Sequence, residues 1–243
     1  MKDYKNIKGE YYENAHGKDA HKSQSFMYNS REDYFIDFMK LKGNEKILDI
    51  GCGSGTFTRK IAKQFPKVEI TGMDISEKVI SFAKKESTKK KLKNTKFVIS
   101  GINKIKTTGQ FEVIIISHLI EHLEDPLDAL REVKKKLAKN GRLFITTPNY
   151  SSLWPLAEKV FDKTIAKDGY SLDDQHISRF NTRSIKKIVN KAGLQTTNLK
   201  TLYVFSLEAS IISKTLGNLF FGLDKALDFI PIGMIIYLEA RIK

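Results

Sequence analysis

Short β-branched runs alternate with stretches of helical spacing through most of the chain. Apolar runs at 46–50, 68–73, 96–99, 111–117 and 142–146 predict strands. Between them, Phe57, Ile61, Ala62 and Phe65 share one helical face, as do Val79, Ile80 and Ala83, and then Leu127, Leu130, Val133 and Leu137. The third helix is punctuated by Asp125 as N-cap, Pro126 at its first position and Gly141 just past its end. Strand, helix and strand repeated in this way predict an α/β, doubly wound parallel sheet with helices on both faces. In such sheets ligands bind beyond the carboxyl ends of the strands, where the strand order reverses.

A chain of 243 residues with 41% hydrophobic and 29% charged positions suits a soluble globular domain, and excludes disorder, collagen-like repeats and a polytopic membrane protein. The net charge of +14 makes an acidic surface or ligand a plausible partner. With a single cysteine, Cys52, an intramolecular disulfide and a multi-cysteine zinc site are impossible, and a reducing, cytoplasmic setting is expected. The first ten residues carry frequent charges and no apolar core, so no secretory signal is expected there. The uncharged run at 229–238 is half the length of a spanning helix and contains Pro231 and Gly233.

Candidate chemistry begins at the end of the first predicted strand, with Gly51, Gly53 and Gly55 at alternate positions. Such spacing lets a backbone turn tightly out of a strand and approach a ligand where a Cβ would clash. The spacing is not that of a dinucleotide fingerprint, and no Gly-Lys-Ser/Thr is present, which excludes a P-loop. Nineteen residues after Gly55, at the end of the second strand, Asp74 is placed to accept hydrogen bonds from both hydroxyls of a ribose.

With Asp49 two residues before the glycine loop, these motifs resemble the class I S-adenosylmethionine-dependent methyltransferases. The segments at 111–126 and 141–149 are similar to that family's fourth and fifth strands. His176-Ile-Ser-Arg-Phe-Asn-Thr-Arg-Ser184, running into Lys191-Ala-Gly-Leu194, resembles the small-molecule branch that includes the ubiquinone O-methyltransferases. The resemblance implies a seven-stranded, mostly parallel sheet whose last strand is antiparallel. It implies S-adenosylmethionine as cofactor, with Asp49 and the backbone of Gly51 and Gly53 at the methionine end, Gly55 in the same cofactor-binding loop and Asp74 on the ribose. Ile75 would pack on the adenine, Ile102 would contribute in the loop after the third strand, and Ser117 and His118 would line the methionine side. Ser100-Gly101-Ile102 departs from the family's Gly-Asp-Ala, so the acid that would meet the adenine amine is missing here.

Methyl transfer to a hydroxyl needs alignment, exclusion of water and a base. His118, His122 and His176 are the candidates, with His122 and His176 expected on the acceptor side as catalytic residues. His118-Leu-Ile-Glu-His122 also spells an inverted zinc-peptidase signature, but that motif belongs inside a helix and this one follows a strand. Ubiquinone O-methyltransferases have a related Glu-x-x-Glu-His thought to bind magnesium. His118 replaces its first acid, so no metal is assigned.

Enzymes methylating the exocyclic amines of bases carry Asn/Asp-Pro-Pro-aromatic where this chain has Ser117-His-Leu-Ile120, and Cys52 lies inside the glycine loop, where it cannot serve as a C5-methyltransferase nucleophile. The lysines of 84–96 lack interleaved aromatics, which disfavours nucleic acid as a partner.

The expectation is one methyltransferase domain: a helical cover at 1–44, with Tyr11, Tyr12 and Tyr28 near the site, a cofactor-binding core at 45–205, an apolar helical insertion at 206–233 and a last strand at 234–243. That strand should pair antiparallel with one around 202–205. The insertion's sparse charges, Lys214, Asp224, Lys225 and Asp228, leave room for an open apolar face over the acceptor pocket or on a membrane surface. The reading is methyl transfer to an oxygen of an apolar or lipid-like small molecule. An RNA or protein methyltransferase, or a non-catalytic cofactor-binding subunit, is the alternative.

Overall fold

The computed structural model describes residues 22–164, 175–206 and 213–243. Its elements run α1 (Lys22–Met39), β1 (Lys46–Ile50), α2 (Thr56–Gln64), β2 (Glu69–Asp74), α3 (Glu77–Lys89), β3 (Thr95–Ile99), β4 (Phe111–Ser117), α4 (Pro126–Lys136), β5 (Leu137–Pro148), α5 (Trp154–Thr164), α6 (Thr182–Lys191), β6 (Leu194–Leu202), α7 (Lys214–Ala226) and β7 (Ile235–Ile242). Seven strands form one sheet in the order β3-β2-β1-β4-β5-β7-β6. The first five pair parallel with one another, and β7 runs antiparallel to both β5 and β6. This is the expected doubly wound, mostly parallel sheet.

Alternation along the central strands builds both layers, because successive side chains point to opposite faces. Ile114 and Ile116 of β4 join Leu130 and Val133 of α4 and Ile185 and Val189 of α6 in one core. Val113 and Ile115 join Phe35 and Met39 of α1 and Ile61 of α2 in the other. The order reverses between β1 and β4, which opens the ligand crevice at their carboxyl ends.

Three expectations are corrected at the periphery. Helix α4 starts as expected, with Asp125 accepting from the Asp128 amide at 2.9 Å, but it ends at Lys136. Gly141 lies inside β5, where the register shifts between Phe111 and Val113, and a Cβ there would come 2.9 Å from the Phe111 carbonyl oxygen. The partner of β7 is Leu194–Leu202, with 203–205 beyond its end, where Tyr203 turns the chain with φ +68°. Within the insertion, Asp224 is not a surface charge. It is fully buried and accepts from the amides of Phe205 and Ser206 at 3.1 and 3.0 Å.

Tyr11 and Tyr12, and Leu207, Ile211 and Ile212 of the insertion, lie outside the described residues. Among the described residues, no helix is long and apolar enough to cross a membrane.

Candidate functional site

The first half of the site grows from the turn between β1 and α2. Gly51, Gly53 and Gly55 all take left-handed conformations, with φ of 72°, 52° and 76°, which non-glycine residues rarely adopt. The loop is also crowded: a Cβ on Gly51 would meet the Leu119 side chain at 2.9 Å, and one on Gly55 would meet Phe97 at 2.7 Å. Amides of Gly51 and Cys52 both donate to the Met73 carbonyl, at 2.8 and 3.0 Å, so the loop is folded over the end of β2.

Asp74 ends β2 and fastens that arrangement. One carboxylate oxygen accepts from the Gly53 amide at 3.0 Å and the other from the Ser76 amide at 2.9 Å. Burial pushes its pKa up against these amide bonds. Asp49 is buried, and the Thr58 hydroxyl donates to it at 2.6 Å. Burial, with the Asp74 and Glu32 carboxylates adding, raises Asp49 to about 6, while Thr58 opposes the rise. Burial likewise holds the Cys52 thiol well above its ordinary pKa, with Asp49 and Asp74 adding, so it is a poor nucleophile.

Two large apolar side chains stand exposed at these strand ends, Ile75 at 43% and Ile99 at 41%. Ile102 differs: its side chain is 7% exposed and packs in the core. The Ser100 hydroxyl is consumed locally, donating to the Lys104 carbonyl at 3.1 Å and accepting from the Lys106 amide at 3.0 Å.

Beyond β4 the chain turns sharply. Ser117 and Thr146 share a hydroxyl bond at 3.0 Å, and His118, at φ +49°, donates its amide to the Thr146 carbonyl. Burial, with Arg31 adding, lowers His118 to about 4 despite Glu121, whose Oε1 lies 3.1 Å from its Nδ1. Glu121 is itself fully buried, and the Thr147 hydroxyl donates to its Oε2 at 3.1 Å. Burial pushes this carboxyl up, but His118, His122 and His176 outweigh it and bring it to about 2.

His122 and His176 come together although 54 positions separate them in the chain. The Ser178 amide donates to the Glu121 carbonyl at 2.9 Å and the Ser178 hydroxyl to the Leu123 carbonyl at 2.8 Å, which lays this segment over the turn at 120–122. The two rings then sit with centroids 5.1 Å apart. His122 Nδ1 lies 3.0 Å from the Gln175 carbonyl. A carbonyl only accepts, so Nδ1 carries the proton. His176 Nδ1 bonds to the buried Glu158 carboxylate and lies 2.8 Å from the Tyr150 hydroxyl, which also donates to Glu158 at 2.8 Å. Burial pushes Glu158 up, but its bonds to His176 and Tyr150 prevail and hold it below the usual carboxylate range. Sequence spacing pointed to the two histidines and missed Glu158 and Tyr150. Among the described residues, Glu121, His122 and His176 bring ligand atoms within 4.8 Å of one another.

Residues 41–200 match a family model described as a methyltransferase domain. Among curated proteins, the chain is 35% identical over 106 residues to the ubiquinone biosynthesis O-methyltransferase of Pelagibacter ubique, a match covering 44% of this chain and 43% of that protein. It is 28% identical over 111 residues to (S)-coclaurine N-methyltransferase of Thalictrum flavum, covering 46% of this chain and 31% of that one. The matched region thus spans less than half of these relatives. Among solved structures, magnesium protoporphyrin IX methyltransferase from Synechocystis with bound SAH superimposes with a TM-score of 0.66 at 13% identity, covering 96% of this chain and 94% of that one. That likeness is one of fold.

Proposed function

Since the chain belongs to this methyltransferase-domain family, we propose that it transfers the methyl group of S-adenosylmethionine to an oxygen of an apolar small molecule. One observation carries the reading: three left-handed glycines, the middle one held by Asp74, beside a buried Asp49 at the carboxyl end of β1, with a histidine–carboxylate cluster following the carboxyl end of the neighbouring strand β4.

The residues fit that cofactor. Exposed Ile75 and Ile99 give an adenine an apolar surface, Asp74 keeps lone pairs for ribose hydroxyls, and Asp49 offers negative charge to an ammonium. When bound, the cofactor supplies an electrophilic methyl on a sulfonium. The protein's work is alignment, exclusion of water and handling of the acceptor's proton. His122 and His176 are the groups for that last task, Glu158 and Gln175 fixing their rings. Magnesium, implied by the resemblance to ubiquinone O-methyltransferases, does not fit: it demands near-octahedral oxygen ligands, and this cluster offers two imidazoles and one carboxylate.

S-adenosylhomocysteine is expected to raise Tm while NAD does not, since a ligand at 100 times its Kd adds about 2.7 kcal/mol to the native state. Asp74→Ala should weaken that binding by roughly tenfold to a hundredfold, through the lost carboxylate contacts and the released Gly53 amide. An equal shift with NAD would overturn the cofactor.

An apolar acceptor suits the surroundings of the cluster. Ile177, next to His176, is 52% exposed, and Leu153 and Leu156 at the start of α5 are 56% and 62% exposed. Leu219 of α7 and Phe229 after it stand 70% and 67% exposed, in keeping with a membrane-surface or lipid contact. Replacing Leu219 and Phe229 by glutamate is expected to abolish liposome association and raise KM for a membrane-borne acceptor, with cofactor affinity unchanged. Undiminished liposome binding would remove that contact from the proposal.

A further inference from the structure

Helix α5 turns a charged residue inward. Trp154 and Glu158 stand one turn apart and share its buried face, while Leu156 between them is exposed. A buried carboxylate needs donors, and Glu158 has two. The Tyr150 hydroxyl donates to Oε1 at 2.8 Å, and His176 Nδ1 bonds to the same oxygen. Tyr150 follows β5 and donates its amide to the Phe180 carbonyl at 2.8 Å, which ties the segment carrying His176 to the end of that strand.

These bonds fix the state of the imidazole. Burial, with the Glu158 bond and charge adding, raises the Tyr150 hydroxyl so far that it remains a donor, and its one proton points to Glu158. His176 Nδ1 lies 2.8 Å from that hydroxyl oxygen and against the carboxylate, so both neighbours present lone pairs to it. Nδ1 therefore carries the proton, and Nε2 is the acceptor of the ring. Burial pushes Glu158 up, yet its bonds to His176 and Tyr150 prevail and keep it ionised.

The other charged and titratable groups around the ring stand further off or are engaged elsewhere. His122 faces it from the turn after β4 with centroids 5.1 Å apart, and Glu121 of that turn is taken up by His118 at 3.1 Å and Thr147 at 3.1 Å. Arg179 lies over the Tyr150 ring at 5.4 Å. Among the described residues, Glu158 is thus the carboxylate in contact with His176. A neutral pair would staple α5 to this segment without burying a charge. A carboxylate has a use there when the ring beside it turns cationic, because it offsets the imidazolium where water does not reach.

Taking the transfer to oxygen proposed above as the premise, we propose that Glu158 is a positioning residue for it: it holds His176 with Nε2 toward the acceptor and supplies the counter-charge when that nitrogen takes the proton. As the acceptor oxygen bonds to the methyl carbon, the carbon–sulfur bond breaks and its electron pair stays on sulfur. The hydroxyl proton passes to His176 Nε2, Nδ1 keeps its own proton on Glu158, and the imidazolium releases its extra proton to water after turnover.

Full-length protein with isotope-labelled histidine is titrated by nitrogen NMR without cofactor or acceptor, the His176 signals being those lost in His176→Asn. Wild-type His176 should show the Nδ1-protonated tautomer. Glu158→Gln should lower its titration midpoint by roughly 1–3 pH units, and Glu158→Asp, which keeps the charge, should restore most of that shift. With labelled S-adenosylmethionine and octylphenol as probe acceptor, Glu158→Gln should lower kcat by ~10–10³-fold, leave KM for the cofactor unchanged and move the acidic limb of the kcat profile to lower pH. A retained Tm shift with S-adenosylhomocysteine shows that each variant is folded. An Nε2-protonated tautomer, an unmoved midpoint, or a kcat profile identical in wild type and Glu158→Gln overturns the role, since a mere staple would change Tm alone. A wild-type enzyme that leaves octylphenol unmethylated while the midpoint shift holds would instead count against the oxygen acceptor.

Discussion

His122→Ala and His176→Ala are each expected to lower methyl transfer by ~10²–10⁴-fold, the usual contribution of a positioned acid–base group. Both rings sit at the carboxyl ends of β4 and β5, tied to Gln175 and Glu158, whereas the cofactor half of the site hangs on Asp74 and the glycine loop. The loss should therefore fall on kcat, with the Kd for S-adenosylmethionine nearly unchanged. His176 is 5% exposed, so its removal also leaves Glu158 and Tyr150 short of a partner and lowers Tm. Single-turnover assays with labelled cofactor separate the two effects. Normal turnover in both variants would eliminate an oxygen acceptor activated by this cluster.

The strands nearest the site were the most legible in the sequence. β1 and β4 occupy the expected residues because both are buried on both faces, and continuous β-branched runs mark such strands. β6 was misplaced because it is an edge strand with a mixed burial pattern, and its Gln, Thr, Asn and Lys positions carry no clear period of two. The end of α4 was misread because Gly141, a residue typical of helix ends, is required instead by the close approach of β5 to the Phe111 carbonyl.

Within the site, the glycine loop and its two acids were readable because their chemistry is local. The histidine cluster was only half readable. Glu121 appeared in the sequence merely as part of a motif, while its burial and its bond to Thr147 depend on β5 lying beside β4. Glu158 sits on a helix 18 residues before His176 and gives no spacing signal. The same holds for Asp224 and Asp228, which stand in the sequence only as sparse charges of an apolar insertion. They turn inward, the first to cap the chain after β6 and the second to take Lys200 and the Tyr34 hydroxyl.

Asp49→Asn is expected to stabilise the free protein and cripple it as a cofactor binder. Burial raises Asp49 to about 6 from its ordinary 3.8, with Asp74 and Glu32 adding. A carboxyl whose folded pKa is raised binds a proton more readily in the native state. The fold therefore loses stability from this group as pH climbs through the interval between 3.8 and about 6, and the deficit is complete above it. At ~1.4 kcal/mol per tenfold change in proton affinity, the full cost is about 3 kcal/mol at most. Asparagine keeps an oxygen for the Thr58 hydroxyl and carries no charge. The Tm of Asp49→Asn should accordingly match wild type near pH 4 and exceed it above pH 6. Binding should move the other way: the cofactor's ammonium favours the ionised carboxylate, so wild-type affinity falls about tenfold per pH unit below about 6 and Asp49→Asn loses that dependence. Calorimetry across pH 4–8, run with and without S-adenosylmethionine, reads both curves. A variant that binds the cofactor as wild type does at pH 7.5 would remove Asp49 from the site.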